Sequence, residues 1–138
     1  MVKEIVKDTD ILTQISEPFV FGKDDGVIKD MLDTAAEHEE NCVGLAAIQI
    51  GVAKRVILVF NGSAFIPMFN PQIIGRSKET YMTEEECLSL EGKREVKRHR
   101  SITVIFQNSK KKFERKQYSG LMAQIIQHEC DHLNGILI

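Results

Sequence analysis

SGLMAQIIQHECDHLNG, residues 119–135, decides how the rest of the chain must be arranged. Ser119 can cap a helix and Asn134-Gly135 can stop one, so a helix is predicted over residues 120–133. At 100° per residue, Leu121, Ile125, His128 and His132 share one face, and both imidazoles therefore point where the apolar residues point. The fold must be built around this helix. A single inward histidine is usually one satisfied by hydrogen bonds in a core. Two at i and i+4 with Glu129 beside the first read H-E-x-x-H, which holds a metal ion and sets a base next to it.

A metal site that keeps a position for water needs a third protein ligand. Zinc peptidases with this motif usually take it from downstream, yet only six residues follow His132. The search therefore turns upstream. His38 lies at the polar end of a predicted helix, and His99 lies inside KREVKRHR, where neighbouring cations oppose a further positive ion; both are read as solvated. Cys130 points roughly 160–200° away from the two histidines around the helix and is read as a small buried filler. Cys42 and Cys87 remain.

Composition bounds the rest. At 138 residues, 43% hydrophobic and 28% charged, the chain is predicted to form one globular domain, residues 1–138, without repeats or linkers. A formal charge of −2 supplies no global attraction to DNA or to an anionic membrane. Three cysteines cannot close a disulfide set, and no signal-peptide core or bilayer-length apolar run is present, which together suggest the cytoplasm.

Apolar residues at Val27, Ile28, Met31, Leu32, Ala35 and Ala36 predict a first helix within residues 24–41, capped by Asp24 or Asp25. RVILVF (55–60), AFIPMFNPQII (64–74) and SITVIFQN (101–108) read as strands, with Pro67 and Pro71 marking edges or bends. KFERKQYS is expected to return antiparallel to the last of these, and TEEECLSL is extended. The fold class predicted is α+β: mostly antiparallel strands packed around the H-E-x-x-H helix, with another helix near the N-terminus.

CVGLAAIQIG (42–51), EECLSL (85–90) and QHECDH (127–132) resemble, in order and spacing, the three signature segments of peptide deformylases, G-x-G-L-A-A-x-Q, E-G-C-L-S and H-E-x-D-H. The resemblance also takes in EPF near the start, FNP at residues 69–71 and G-L-x-A at 120–123, so it covers most of the chain. It implies a hydrolase that removes the N-formyl group from the initiator methionine of nascent polypeptides and releases formate. It selects Cys87 as third ligand beside His128 and His132, with Glu129 moving the proton and Gln49 and the Leu88 backbone N–H as oxyanion donors. Gly44, Val43, Glu85, Arg94, Leu121 and Ile125 fall in segments that would meet substrate, and Gln124 and Thr83 would make one side of the pocket polar. Asp131 is placed to orient a ligand or to pair with a cation such as Arg98.

The same resemblance implies one divalent ion per chain, Fe2+ in the cell, although a Cys-His-His set also suits Zn2+, Ni2+ or Co2+. Its partners would be formyl-methionyl nascent peptides and the ribosome near the exit tunnel, with no DNA and no membrane. KREVKRHR reads as a solvated basic strand or a patch for ribosomal RNA, the former being favoured. Three positions depart from the pattern: Glu86 where the motif carries Gly, Cys42 at its first Gly, and Glu91 at a common Pro. An extended backbone would turn the Glu86 side chain out of the cleft. The readings set against a deformylase are a divergent, non-catalytic metal-binding or ribosome-associated protein, and a different metallopeptidase.

Overall fold

The computed structural model describes all residues, Met1–Ile138. A single helical turn, α1 (Thr9–Leu12), comes first and has no counterpart among the sequence expectations. Asp8 caps it by accepting from the Asp10 N–H at 2.8 Å, and Leu12 anchors it in the core. α2 (Gly26–Glu37) lies inside the predicted 24–41, but residues 38–41 form turns instead of helix. Glu37, Glu39 and Glu40 crowd the negative end of the helix dipole there, which favours an early stop.

After α2 come β1 (Gly44–Ala46), a 3₁₀ turn (Ala47–Ile50), β2 (Val56–Phe60), β3 (Phe65–Arg76), β4 (Thr80–Cys87), β5 (Leu90–His99), β6 (Ser101–Gln107), β7 (Phe113–Ser119) and α3 (Gly120–Leu133). The strands form an antiparallel five-stranded sheet in the order β1-β2-β3-β6-β7 and a separate β4–β5 hairpin. This is the α+β arrangement predicted. β2 is apolar throughout because both its faces are covered. Ile57 and Val59 pack with Ile126 and Cys130 on one side; Val56 and Leu58 pack with Val27 and Met31 on the other.

The prolines behave differently from one another. Asn70, at φ 52, and Pro71 accompany a register shift between Phe69 and Gln72, a bend as predicted. Pro67 pairs with Leu58 of β2 alone, ahead of the first β6 pairing at Phe69, so its other side is an open edge, also as predicted. Asn70 also ties the N-terminal segment down, accepting from the Phe19 N–H at 2.7 Å.

α3 is buried on nearly every side, between the large sheet and the hairpin. Gln127 binds the end of β5 as a strand would, accepting from the His99 N–H and donating to the His99 carbonyl, both at 2.9 Å. The helix stops where expected: Gly135 has φ +74, and a Cβ there would lie 2.3 Å from the Thr13 carbonyl oxygen. Gly135→Ala is expected to cost at least about 1–2 kcal/mol from the left-handed backbone alone. A loss of roughly 3–10 °C in Tm would follow. An unchanged melting curve would show that the Thr13 segment can move aside. No helix is long and apolar enough to cross a membrane.

Candidate active site

Helical spacing and a hairpin turn bring three ligand atoms together. His128 and His132 project from one side of α3, and Cys87 comes from the last position of β4, just before the Leu88-Ser89 turn into β5. The two Nε2 atoms are 3.1 Å apart, and Cys87 Sγ is 3.4 Å from that of His132; all three ligand atoms lie within 4.8 Å of one another. A tetrahedral ion with ordinary metal–nitrogen and metal–sulfur bonds would set such atoms about 3.3–3.6 Å apart. The donor set fits a metal.

The surroundings agree with that fit. His128 Nδ1 lies 2.7 Å from a Glu85 oxygen and donates to it, which leaves Nε2 free to face the cluster. Burial opposes charge on His128, but Cys87 and Glu85 outweigh it and raise the imidazole to about 10. Burial, then the neighbouring charge of His128, pushes His132 down to about 3. The two rings are thus pushed in opposite directions, and the cluster favours a single positive charge, as it would a bound cation.

Glu129 follows His128 on α3 and is almost wholly buried, with Oε1 free of any protein partner. Burial is the main cause that raises its carboxyl to about 7. Such a group can take and return a proton near neutrality. Gly44 makes room for it, since a Cβ at that position would sit 2.6 Å from Glu129 Oε2. Gln49, 2% exposed, is oriented by accepting from the Ala46 N–H, and its amide donates toward Cys87 Sγ and Ser89 Oγ, each at 3.3 Å.

Beside these groups lies a cavity of about 200 Å³. Val43, Gly44, Leu121 and Ile125 line it together with Leu88 and Gln124, so these sequence candidates converge on one cleft. Leu121 stands at its rim, 65% exposed, not inside as the shared helix face suggested. Thr83 is not among the lining residues.

Two residues expected to meet substrate make their main contacts elsewhere. Glu85 borders the cavity, but its carboxylate is turned inward to His128, Gln124 and a two-point contact with Arg98 at 2.7 and 3.0 Å. Burial would raise this carboxyl, yet His128 and Arg98 bring it down to about 2. Its geometry suits holding a histidine rather than meeting substrate. Arg94 is not among the lining residues, and its Nη1 donates to the Glu91 carbonyl at 2.9 Å, but its charge still acts on His132 and its Nε and Nη2 are buried without a partner. The basic strand is not simply solvated either: Arg98 is buried between Glu85 and Asp131, 2.7 Å from each, and His99 Nδ1 lies 2.7 Å from the Ser77 carbonyl. Ser89 lies in the EECLSL segment without a role implied for it, and nothing in the sequence marks Tyr81, whose hydroxyl donates to Gln124 Oε1 at 3.2 Å.

The polypeptide deformylase family model matches residues 2–138. The chain belongs to the polypeptide deformylase family. It is 45% identical over 138 residues to the peptide deformylase of Clostridium beijerinckii, spanning all of both chains. The crystal structure of peptide deformylase from Thermotoga maritima superposes with a TM-score of 0.90 at 31% identity, over 99% of this chain and 95% of that one. A Met-Ala-Ser-bound class I type b peptide deformylase from Acinetobacter baumannii does so at 0.88 and 32%, over 99% and 96%. Deformylases are metal-dependent amidohydrolases that remove the N-formyl group from nascent chains, and this deformylase has a Cys-His-His group that could bind a metal.

Among its departures from the family motif, Glu86 borders the cavity at its mouth and does not leave the cleft as expected; its side chain is 69% exposed, with Lys93 Nζ at 3.8 Å. Its φ is not positive, so the backbone does not require Gly. Cys42 is buried, donates toward the Gly44 carbonyl at 3.3 Å, and is pushed up to about 12, mainly by burial. It is a neutral thiol beside the deformylase cleft.

Proposed function

We propose that residues 1–138 act as one catalytic unit in which Cys87, His128 and His132 hold a divalent ion and Glu129 carries the proton. The observation that supports this most is the meeting of three ligand atoms and one partnerless buried carboxylate at a single cleft. The ion, when bound, supplies Lewis acidity that makes water acidic enough to attack an amide at neutral pH. Glu129 takes the proton released in that attack and returns it to the departing nitrogen, which leaves formate and a free amine. Gln49 and the Leu88 N–H donate to the oxygen that becomes negative as the formyl carbon turns tetrahedral. Glu85, fixed by Arg98, holds the His128 ring in register.

The first side chain of the substrate fits the apolar wall of Val43, Leu121 and Ile125, with the methionine of formyl-methionyl nascent peptides as its natural occupant. The Met-Ala-Ser bound to the Acinetobacter baumannii relative supports this reading. β1 and β4 each have one unpaired edge beside the cleft, so an extended peptide can add main-chain hydrogen bonds there. Three free cysteines suit the cytoplasm, close to the ribosome that supplies the substrate.

Fe2+ is proposed as the native ion, and Zn2+, Ni2+ and Co2+ also suit the donors. Formate release from a formyl-Met peptide, measured after anaerobic loading with each metal in turn, tests both points. The expected result is turnover with highest activity in the Fe2+ form; no formate from any loaded form would reject the catalytic reading. Gln49→Ala is expected to lower kcat by about 10²–10³-fold with metal content unchanged, the effect of removing one oxyanion donor. An unchanged kcat would remove Gln49 from this role.

A further inference from the structure

We propose that Tyr81 and Gln124 are positioning residues for the metal site, acting on the ligand His128 through Glu85, an inference that rests on the ligand set proposed above. The Tyr81 hydroxyl lies 3.2 Å from Gln124 Oε1, Gln124 Nε2 lies 3.0 Å from Glu85 Oε2, and Glu85 Oε1 lies 2.7 Å from His128 Nδ1. The three bonds form one line that ends on a ligand. Strand and helix periods make it possible: Tyr81 and Glu85 stand four apart on β4 and share a face, while Gln124 and His128 stand four apart on α3 and share a side.

Chemistry fixes the direction of every bond in the line. Glu85, gripped by Arg98 at both oxygens, is a carboxylate and only accepts, so Gln124 must turn its NH2 group toward it. That leaves Oε1 for Tyr81, whose hydroxyl is therefore the donor. On its other oxygen Glu85 accepts from Nδ1 of His128, which keeps the Nε2 lone pair of that ring for the ligand cluster.

Arg98 alone does not complete the restraint. Its fork lets the carboxylate tilt about the line joining the two groups, and a further donor on Oε2 resists that tilt. Gln124 can serve only while its own amide is held, because turned over it would set an oxygen against Glu85. Tyr81 prevents this, and the Arg100 guanidinium, 5.1 Å from the centre of its ring, steadies Tyr81 in turn. Gln124 borders the cavity but has both ends of its amide engaged; Tyr81 is not among the lining residues, so its hydroxyl reaches the site only through Gln124.

The test measures Zn2+ affinity, by competition with a chromophoric chelator, in the parent protein, Tyr81→Phe, Gln124→Leu and the double variant. Gln124→Leu is expected to weaken binding by about tenfold, the lower end for a group that supports a ligand, and Tyr81→Phe, one bond further out, by about threefold. The double variant should bind no more weakly than Gln124→Leu alone, because the hydroxyl acts only through the amide. Tyr81→Phe should also shift the visible bands of the Co2+ form and lower kcat while the KM for a formyl-Met peptide stays unchanged. Unchanged Zn2+ affinity in both single variants, or losses that simply multiply in the double variant, would overturn the positioning role and leave the ligand set intact. If Gln124→Leu does not fold, the Zn2+ affinity of Tyr81→Phe decides. A parent protein that binds no Zn2+ would reject the ligand set, and the positioning role with it.

Discussion

Glu129→Gln is expected to lower formate release from a formyl-Met peptide by about 10²–10⁴-fold while the protein retains its full metal content. The substitution keeps the volume of a side chain that is wedged over Gly44, where a Cβ would already be 2.6 Å from Oε2. It removes only the ability to accept a proton. Burial raises this carboxyl to about 7, so it is matched to proton transfer near neutrality, and an amide in its place cannot titrate there. Glu129 is not among the three clustered ligand residues, so metal analysis should be unaffected. Full activity in Glu129→Gln would remove the carboxylate from the mechanism; lost metal in that variant would make it a ligand instead.

Cys87→Ala should reduce metal stoichiometry to a small fraction of one per chain and abolish formate release with it. Losing a group that merely supports a ligand typically costs about 10–100-fold in metal affinity, and a ligand itself should cost more. The other two cysteines supply the contrast. Cys42 is a buried neutral thiol turned to the Gly44 carbonyl, and Cys130 packs with Ile126 and Ile57 in the core. Cys42→Ala and Cys130→Ala should therefore keep one ion per chain. Metal retained in full by Cys87→Ala would reject the ligand set.

Much of this architecture is local and was readable before any tertiary contact was known. α3 runs over the predicted residues, and β6 with β7 is the antiparallel pair predicted for residues 101–119, because apolar spacing and turn residues act within a few positions. The one-turn α1 carried no such signal. Four residues are too few for periodicity, and the segment is held by one aspartate cap and the burial of Leu12.

The partly basic strand 93–100 shows where local reading stops. Its charge says solvent, yet Arg98 is buried because Glu85 from β4 and Asp131 from α3 approach it from two sides. Glu85, sitting within TEEEC, gives no sign that its carboxylate would turn from the cleft to a histidine. Both outcomes depend on which edge of the hairpin meets the helix.

Local signals along the chain were enough to specify the helix of residues 120–133, the placing of His128 and His132 on one side of it, and the antiparallel strands of the middle of the chain. Helical pitch and strand alternation fix these within a few residues. Residue spacing left Cys42 and Cys87 both open and the motif resemblance chose Cys87; packing is what brings its sulfur to the two imidazoles, buries Arg98 and leaves Glu129 without a partner. Proximity across 45 residues and the dielectric around a carboxylate are set by how separate elements pack, and no local pattern contains them.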